Sequence, residues 1–241
     1  MDERQVVETQ MAYYRARAGE YDQWFLREGR YDQGPEHRAR WFQEVAIVET
    51  ALREEVRGAD VLELACGTGL WTRHLAETNM RVVAVDASPE VLAINRERIQ
   101  SAAVGNVEYV EADIFSWKPA DTFDVVFFSF WLSHVPPGQF DAFWDGVRVA
   151  LRPGGRAFFV DSLLEQSSTA RDHGLLDQSG VVRRRLNDGR EFDIVKVFYD
   201  PADLEHRLLQ RGWTGSVKST GMFFLYGSTT LTGNGSIGKA G

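Results

Sequence analysis

Two hydrophobic periods divide the chain. From Asp60 onward the apolar runs "VLELA", "RVVAVD", "NVEYVEAD" and "FDVVFFSF" alternate with segments of helical spacing near 70–78, 89–101 and 116–120. Runs this apolar suit strands covered on both faces, and their alternation with helices predicts a parallel sheet. A helix near 138–151 leads through "RPGG" into the strand "RAFFVDS". The runs "EFDIVKVFY" and "GMFFLYGST" add two strands, with a helix from Pro201 to about Arg211 between them, which reads as a crossover rather than an antiparallel edge pairing. The count is seven strands.

The ends of the chain follow a different pattern. From Arg4 to about Glu28, Val6, Val7, Met11, Tyr14, Trp24 and Phe25 punctuate a polar segment, predicting an amphipathic helix and a short second one that form a cap. Pro35 opens a helix to about Val56 with Trp41, Val45, Val48 and Leu52 along one face, and Gly58 stops it. The polar stretch 162–190 fits neither period and reads as a cover over a site. The glycine-rich end has no periodic apolar residues and reads as a flexible tail. The resulting single domain comprises a cap (1–34), a cofactor-binding core (35–161), a lid (162–190), the last part of the sheet (191–228) and the tail (229–241).

Composition narrows the class of partner. The chain has 241 residues, 44% of them hydrophobic and 26% charged, enough for one α/β domain with a full core. Its formal net charge of −8 opposes nucleic acid and anionic membrane surfaces and favours a small-molecule partner. Cys66 is the only cysteine, so neither an internal disulfide nor a multi-cysteine metal site is expected, and no metal is assigned. No apolar run approaches the roughly 20 residues of a membrane span, and the first residues resemble neither a signal nor a transit peptide. A cytoplasmic protein without membrane insertion is the expectation.

The stretch "VLELACGTGLW" joins a strand to a helix through small residues, where bare backbone can approach a ligand. It has two glycines, Gly67 and Gly69, with Thr72 where a dinucleotide loop would carry a third, and no Gly-Lys-Ser/Thr follows. Asp86 ends the next strand about 20 residues beyond Gly67, the position from which a carboxylate accepts both ribose hydroxyls in NAD and S-adenosylmethionine sites alike. Asp113 ends the third strand, where it can accept from an adenine amino group while Ile114 packs on the ring. Two acidic strand ends thus address one adenosine.

In these motifs the sequence resembles the class I S-adenosylmethionine-dependent methyltransferases, especially the small-molecule type related to quinone-biosynthesis enzymes. The resemblance runs through "LELACGTG", "VVAVDAS", "EADIF", "FDVVFFSFWLSHV" and "LRPGG", in that order. It implies a Rossmann-like α/β fold, a seven-stranded mostly parallel sheet with helices on both faces and an N-terminal helical cap. It further implies S-adenosylmethionine as cofactor and S-adenosylhomocysteine as product. By the same resemblance Glu63, Ala65 and Gly67 border the amino-acid end of the cofactor, and Ala87 and Ser129 join the cofactor-binding set. Tyr14 and Tyr21, in "YYRARAGEYD", fold over the methionine end. Ala65 departs from the glycine that many relatives carry.

Acceptor chemistry is less constrained. Phe130 and Trp131 lie just past the fourth strand, where open α/β sheets bind ligands, and can serve either as an apolar substrate wall or as packing. His134 follows as a candidate general base, against a purely structural role. Arg183, with Arg184, Arg185 and Arg190, is either a solvated turn or a site for a substrate carboxylate or phosphate. The strand carries "SFWLSH" rather than the Asn/Asp-Pro-Pro-aromatic pattern of nucleic-acid amine methyltransferases. Methyl transfer to oxygen of a small, partly apolar acceptor is the preferred reading. The alternatives are carbon on an electron-rich ring, a noncatalytic S-adenosylmethionine-binding regulator and, more remotely, an adenosine-binding oxidoreductase.

Overall fold

Val61, Leu62, Val83, Val85, Val126 and Phe128 are buried on successive strands, so the centre of the sheet has no solvent face and must be covered on both sides. The computed structural model describes residues 3–232 and arranges them accordingly. A cap of α1 (Glu3–Arg17) and α2 (Tyr21–Leu26) precedes α3 (Pro35–Val56). Then follow β1 (Asp60–Leu64), α4 (Leu70–Thr78), β2 (Arg81–Asp86), α5 (Pro89–Ser101), β3 (Val107–Glu111) and β4 (Phe123–Ser129). The remainder comprises α6 (Phe140–Ala150), β5 (Leu151–Ser162), β6 (Gly180–Arg185), β7 (Glu191–Lys196), α7 (Pro201–Gln210), β8 (Trp213–Ser219) and β9 (Phe224–Leu231).

The main sheet has seven strands in the order β3-β2-β1-β4-β5-β9-β8. The first five are parallel, while β9 runs antiparallel to both β5 and β8. On one face Trp144 and Val147 of α6 and Leu204 and Leu208 of α7 pack on Phe128 and Phe159. On the other, Trp41 and Val48 of α3 and Leu75 of α4 pack on Val125, Phe127 and Phe158. Helix starts follow local chemistry. Asp200 accepts from the N–H groups of Ala202 and Asp203 at the head of α7, and Ser88 accepts from Val91 N–H at α5, each followed by proline.

The number of strands agrees with the sequence pattern, but their membership differs. "EFDIVKVFY" does not enter the main sheet. Its β7 pairs antiparallel with β6 in a separate hairpin, because only Ile194, Val195 and Lys196 are buried while Glu191 faces solvent. The strand that takes its place, β8, alternates polar with apolar and buries only Trp213 and Val217, so its apolar signal is weak. The helix expected at 116–120 is absent. A turn forms instead, where Asp113 accepts from Phe115 N–H and Ser116 Oγ. The expected tail boundary at 229 is also displaced, since β9 continues to Leu231; residues 233–241 lie outside the described residues. Among the described residues no helix is long and apolar enough to cross a membrane.

Candidate active site

The loop after β1 turns through three left-handed residues, Ala65 (φ +52°), Gly67 (φ +56°) and Gly69 (φ +88°). Glycine is required at 69, where a Cβ would stand 2.5 Å from Asn95 Oδ1. The Asn95 amide donates to Gly67 O (3.2 Å) and Thr72 Oγ1 (2.9 Å), and its Oδ1 accepts from Tyr109 Oη (3.0 Å), so α5 and β3 together fix the loop. Ala65 holds the conformation that glycine adopts without strain, which makes its departure from the family pattern a local cost. Asp86 accepts from Gly67 N–H (3.1 Å) and Ser88 N–H (3.0 Å), and burial raises its pKa against these bonds.

A cavity opens over this loop at the carboxyl ends of β1, β2 and β4. Tyr14, Tyr21, Ala65, Gly67, Asp86, Ala87, Asp113, Ile114 and Ser129 all line it. Glu63 alone of the expected cofactor set lies behind it, fully buried at the end of β1, with neither carboxylate oxygen hydrogen-bonded. Burial, reinforced by the Asp86 charge and opposed by the Thr72 hydroxyl, pushes the Glu63 carboxyl up to about 8. Trp131 also lines this cavity, beside Phe115, with Ile114 and Asp113 in the same lining. Phe130 takes a positive φ of +51° at the strand end and faces two cavities.

The second cavity shares Tyr14, Tyr21 and Phe130 with the first. Its charged walls are Arg17, Arg184 and Lys196, and among the described residues no carboxylate lines it. The Arg17 guanidinium lies 4.9 Å from the centre of the Tyr21 ring. Lys196 Nζ donates to Ser133 Oγ (2.8 Å) and stands 3.5 Å from Asp161 Oδ1. Burial lowers the Lys196 pKa while Asp161 opposes the shift. Burial likewise lowers Arg184, and burial with Arg184 and Arg30 lowers His173 to about 4. His134 lines the same cavity, held well below the usual histidine range by burial and then by Lys196.

The basic cluster enters the cavity through one member. Successive residues of β6 face opposite sides, so Val182 and Arg184 point inward, whereas Arg183 points out and pairs with Asp193 at 2.8 Å. Arg183 is therefore not placed to bind a substrate. Sequence reasoning did not single out Arg17 or Lys196. The spacing that could have done so is Arg17 three and four residues after Tyr14 and Tyr13 on α1, with Val182 and Arg184 alternating in "VVRRR".

A methyltransferase-domain model matches residues 61–155. The Cypemycin N-terminal methyltransferase of a Streptomyces species is 40% identical over 105 residues, covering 42% of this chain and 41% of that protein. The matched segments span less than half the length of the first curated relatives. Solved structures match almost end to end. The DhpI–SAH complex is 41% identical with a TM-score of 0.75, covering 94% of this chain and 97% of its own. The DhpI–SAM–HEP complex is 40% identical with a TM-score of 0.77, covering 95% and 100%.

The chain belongs to the class I S-adenosylmethionine-dependent methyltransferases. The cofactor of such a methyltransferase has an ammonium group, a ribose and a purine, and the residues here suit all three. The orphaned Glu63 carboxyl suits the cation, Asp86 the hydroxyls, and the Ile114 and Trp131 walls the ring. Left-handed backbone at 65–69 keeps side chains out of the way.

Proposed function

We propose that the protein transfers the methyl group of S-adenosylmethionine to an oxygen of a small anionic acceptor held by Arg17, Arg184 and Lys196. The observation that carries this reading is the second cavity, which adjoins the first at Tyr14, Tyr21 and Phe130 and presents three cations without a lining carboxylate. An amine acceptor in its ammonium form would meet like charge from every side. An acid group finds charge-assisted donors instead. Among relatives, one DhpI structure holds SAM together with HEP, and the cypemycin enzyme is named for methylation at an N-terminus. The choice of oxygen rests on the charge of this chain's own cavity.

In this reading Asp86 takes the ribose hydroxyls, while Asp113 and Ile114 hold the adenine. Glu63 sits behind the Ala65–Gly67 backbone for the ammonium, Ala87 and Ser129 complete the wall, and Tyr14 and Tyr21 close it. When bound, the cofactor supplies a methyl group activated by its sulfonium. The chain aligns the acceptor oxygen with that group, excludes water, and holds the acceptor's charge. An oxyanion needs no proton removed. Carbon on a ring would need a strong base, and the surroundings of His134 oppose one.

The test is a screen with tritiated S-adenosylmethionine over small carboxylic and phosphoryl acids, phenols, amines and quinols, with product mass analysis. Label is expected in acids, as base-labile methyl esters of carboxylic acids or alkali-stable methyl esters of phosphoryl acids. Label confined to amines or ring carbon overturns the oxygen reading. Tight cofactor binding without transfer to any class would make the protein a cofactor-binding regulator.

A further inference from the structure

Tyr21 and Asp22 are neighbours on α2, and they meet the cofactor loop in different ways. A Cβ at Gly67 would lie 3.9 Å from Tyr21 Cε1, which places the ring over that loop. The Asp22 carboxylate accepts from the Thr68 hydroxyl in the loop and pairs with Arg98 on α5. Arg98 also donates to Thr68 O (2.7 Å) and Thr68 Oγ1 (3.3 Å). Three segments distant in sequence therefore meet at one carboxylate.

Other polar ties at α2 lead elsewhere, among them Asn187 Nδ2 to Gln23 Oε1 (3.0 Å). Trp24 Nε1 donates to Ser168 O, Arg27 to the carbonyls of Ser167 and Ser168, and Trp41 Nε1 to Phe25 O. Phe25 keeps an apolar seat against Trp71 and Phe130. The side chains of Asp22 and Arg98 are each about one-quarter exposed, so water can replace their pair without opening the core. Val7, Met11 and Tyr14 of α1 line the cofactor cavity together with Tyr21, so the cap forms part of its wall.

We propose that Asp22 is a positioning residue of the cofactor site: with Thr68 and Arg98 it pins Tyr21 against the loop and sets the rate at which S-adenosylmethionine enters and S-adenosylhomocysteine leaves. When this tie breaks, Tyr21 loses its hold on the loop, while the apolar seat of α2 keeps the rest of the helix in place. Local opening of this kind needs only a few weak contacts to be lost. The proposal rests on cofactor binding alone and stands apart from the identity of the acceptor.

Displacement of S-adenosylhomocysteine, followed by intrinsic tryptophan fluorescence in a stopped-flow instrument, tests it with the whole chain. Asp22→Asn and Arg98→Met are each expected to speed dissociation about tenfold, the effect of losing one charge-assisted bond. The double variant should dissociate no faster than either single one, and Asp22→Glu should restore most of the parent rate. Unfolding temperatures should shift by no more than a few degrees. Unchanged dissociation, or single effects that multiply in the double variant, overturns the proposal, as does weakening that comes wholly from slower association. Should Asp22→Asn fail to fold, Arg98→Met decides the matter, because it breaks the same pair from α5.

Discussion

His134 Nδ1 lies 2.6 Å from the carbonyl oxygen of Val195. A carbonyl only accepts, so the ring proton sits on Nδ1 and the lone pair is left on Nε2. Gln10 locks the same junction, donating to His134 O (3.0 Å) and accepting from Val195 N–H (3.2 Å). The turn after β4, the hairpin strand β7 and the cap helix α1 are thus fastened together at the second cavity.

The consequence for His134 is a fixed tautomer and a charge that stays off. Burial, then Lys196, lowers its pKa well below the ordinary value, so the imidazole remains neutral as pH falls through 6.5. Such a group is a poor proton acceptor for the transition state, though well suited to orient an acceptor by a hydrogen bond. We expect His134→Ala to lower kcat about tenfold, against the 10²–10⁴-fold cost of removing a general base. The parent kcat should show no histidine inflection near 6.5. A loss above a hundredfold, with such an inflection, would establish the base role and point to a hydroxyl acceptor.

Arg184 and Arg183 are adjacent in sequence and face opposite sides of β6. Arg184 faces the cavity and donates to Thr169 Oγ1 (3.0 Å), while the Arg183 side chain is two-thirds exposed and neutralised by Asp193. With an acid substrate from the acceptor screen, Arg184→Met should raise the acceptor KM by about 10–100-fold, the range for a lost charge-assisted contact. The cofactor KM should hardly move. Arg183→Met should leave both within about twofold, as exposed pairs contribute little. Equal effects of the two substitutions on acceptor KM would remove the anion from the second cavity.

The parallel half of the fold and the cofactor loop were legible because their signals are local. "VLELA", "RVVAVD" and "FDVVFFSF" are mostly apolar, and Asp86 ends β2 while Asp113 follows β3 by two residues, whatever the distant chain does. The second cavity was not legible. Its cations come from α1, β6 and β7, elements whose pairing depends on contacts such as Gln10 to Val195 across most of the chain. Trp131 and Arg183 show the same limit at the scale of single residues. One residue along a strand end or hairpin changes which side it faces, and that difference places Trp131 in the first cavity and Arg183 against Asp193.

Glu63 offers a test that needs no acceptor. Buried beside Asp86, with the Thr72 hydroxyl alone favouring its charge, its carboxyl is raised to about 8 in the folded chain, against the ordinary 4.3 of a free glutamate when unfolded. Between those values the folded state binds the extra proton, so stability falls as pH rises through the window and levels off above it. Glu63→Gln removes the titrating group while keeping its shape. Thermal unfolding of the cofactor-free protein should then show the variant gaining on the parent steadily from pH 5 to pH 8.5, with no further gain beyond. Saturating S-adenosylmethionine should flatten the parent's slope, because an ammonium beside Glu63 favours the ionised carboxylate. Parallel curves for parent and variant across this range would mean that Glu63 is ionised and satisfied already, and would remove it as the partner of the cofactor's cation.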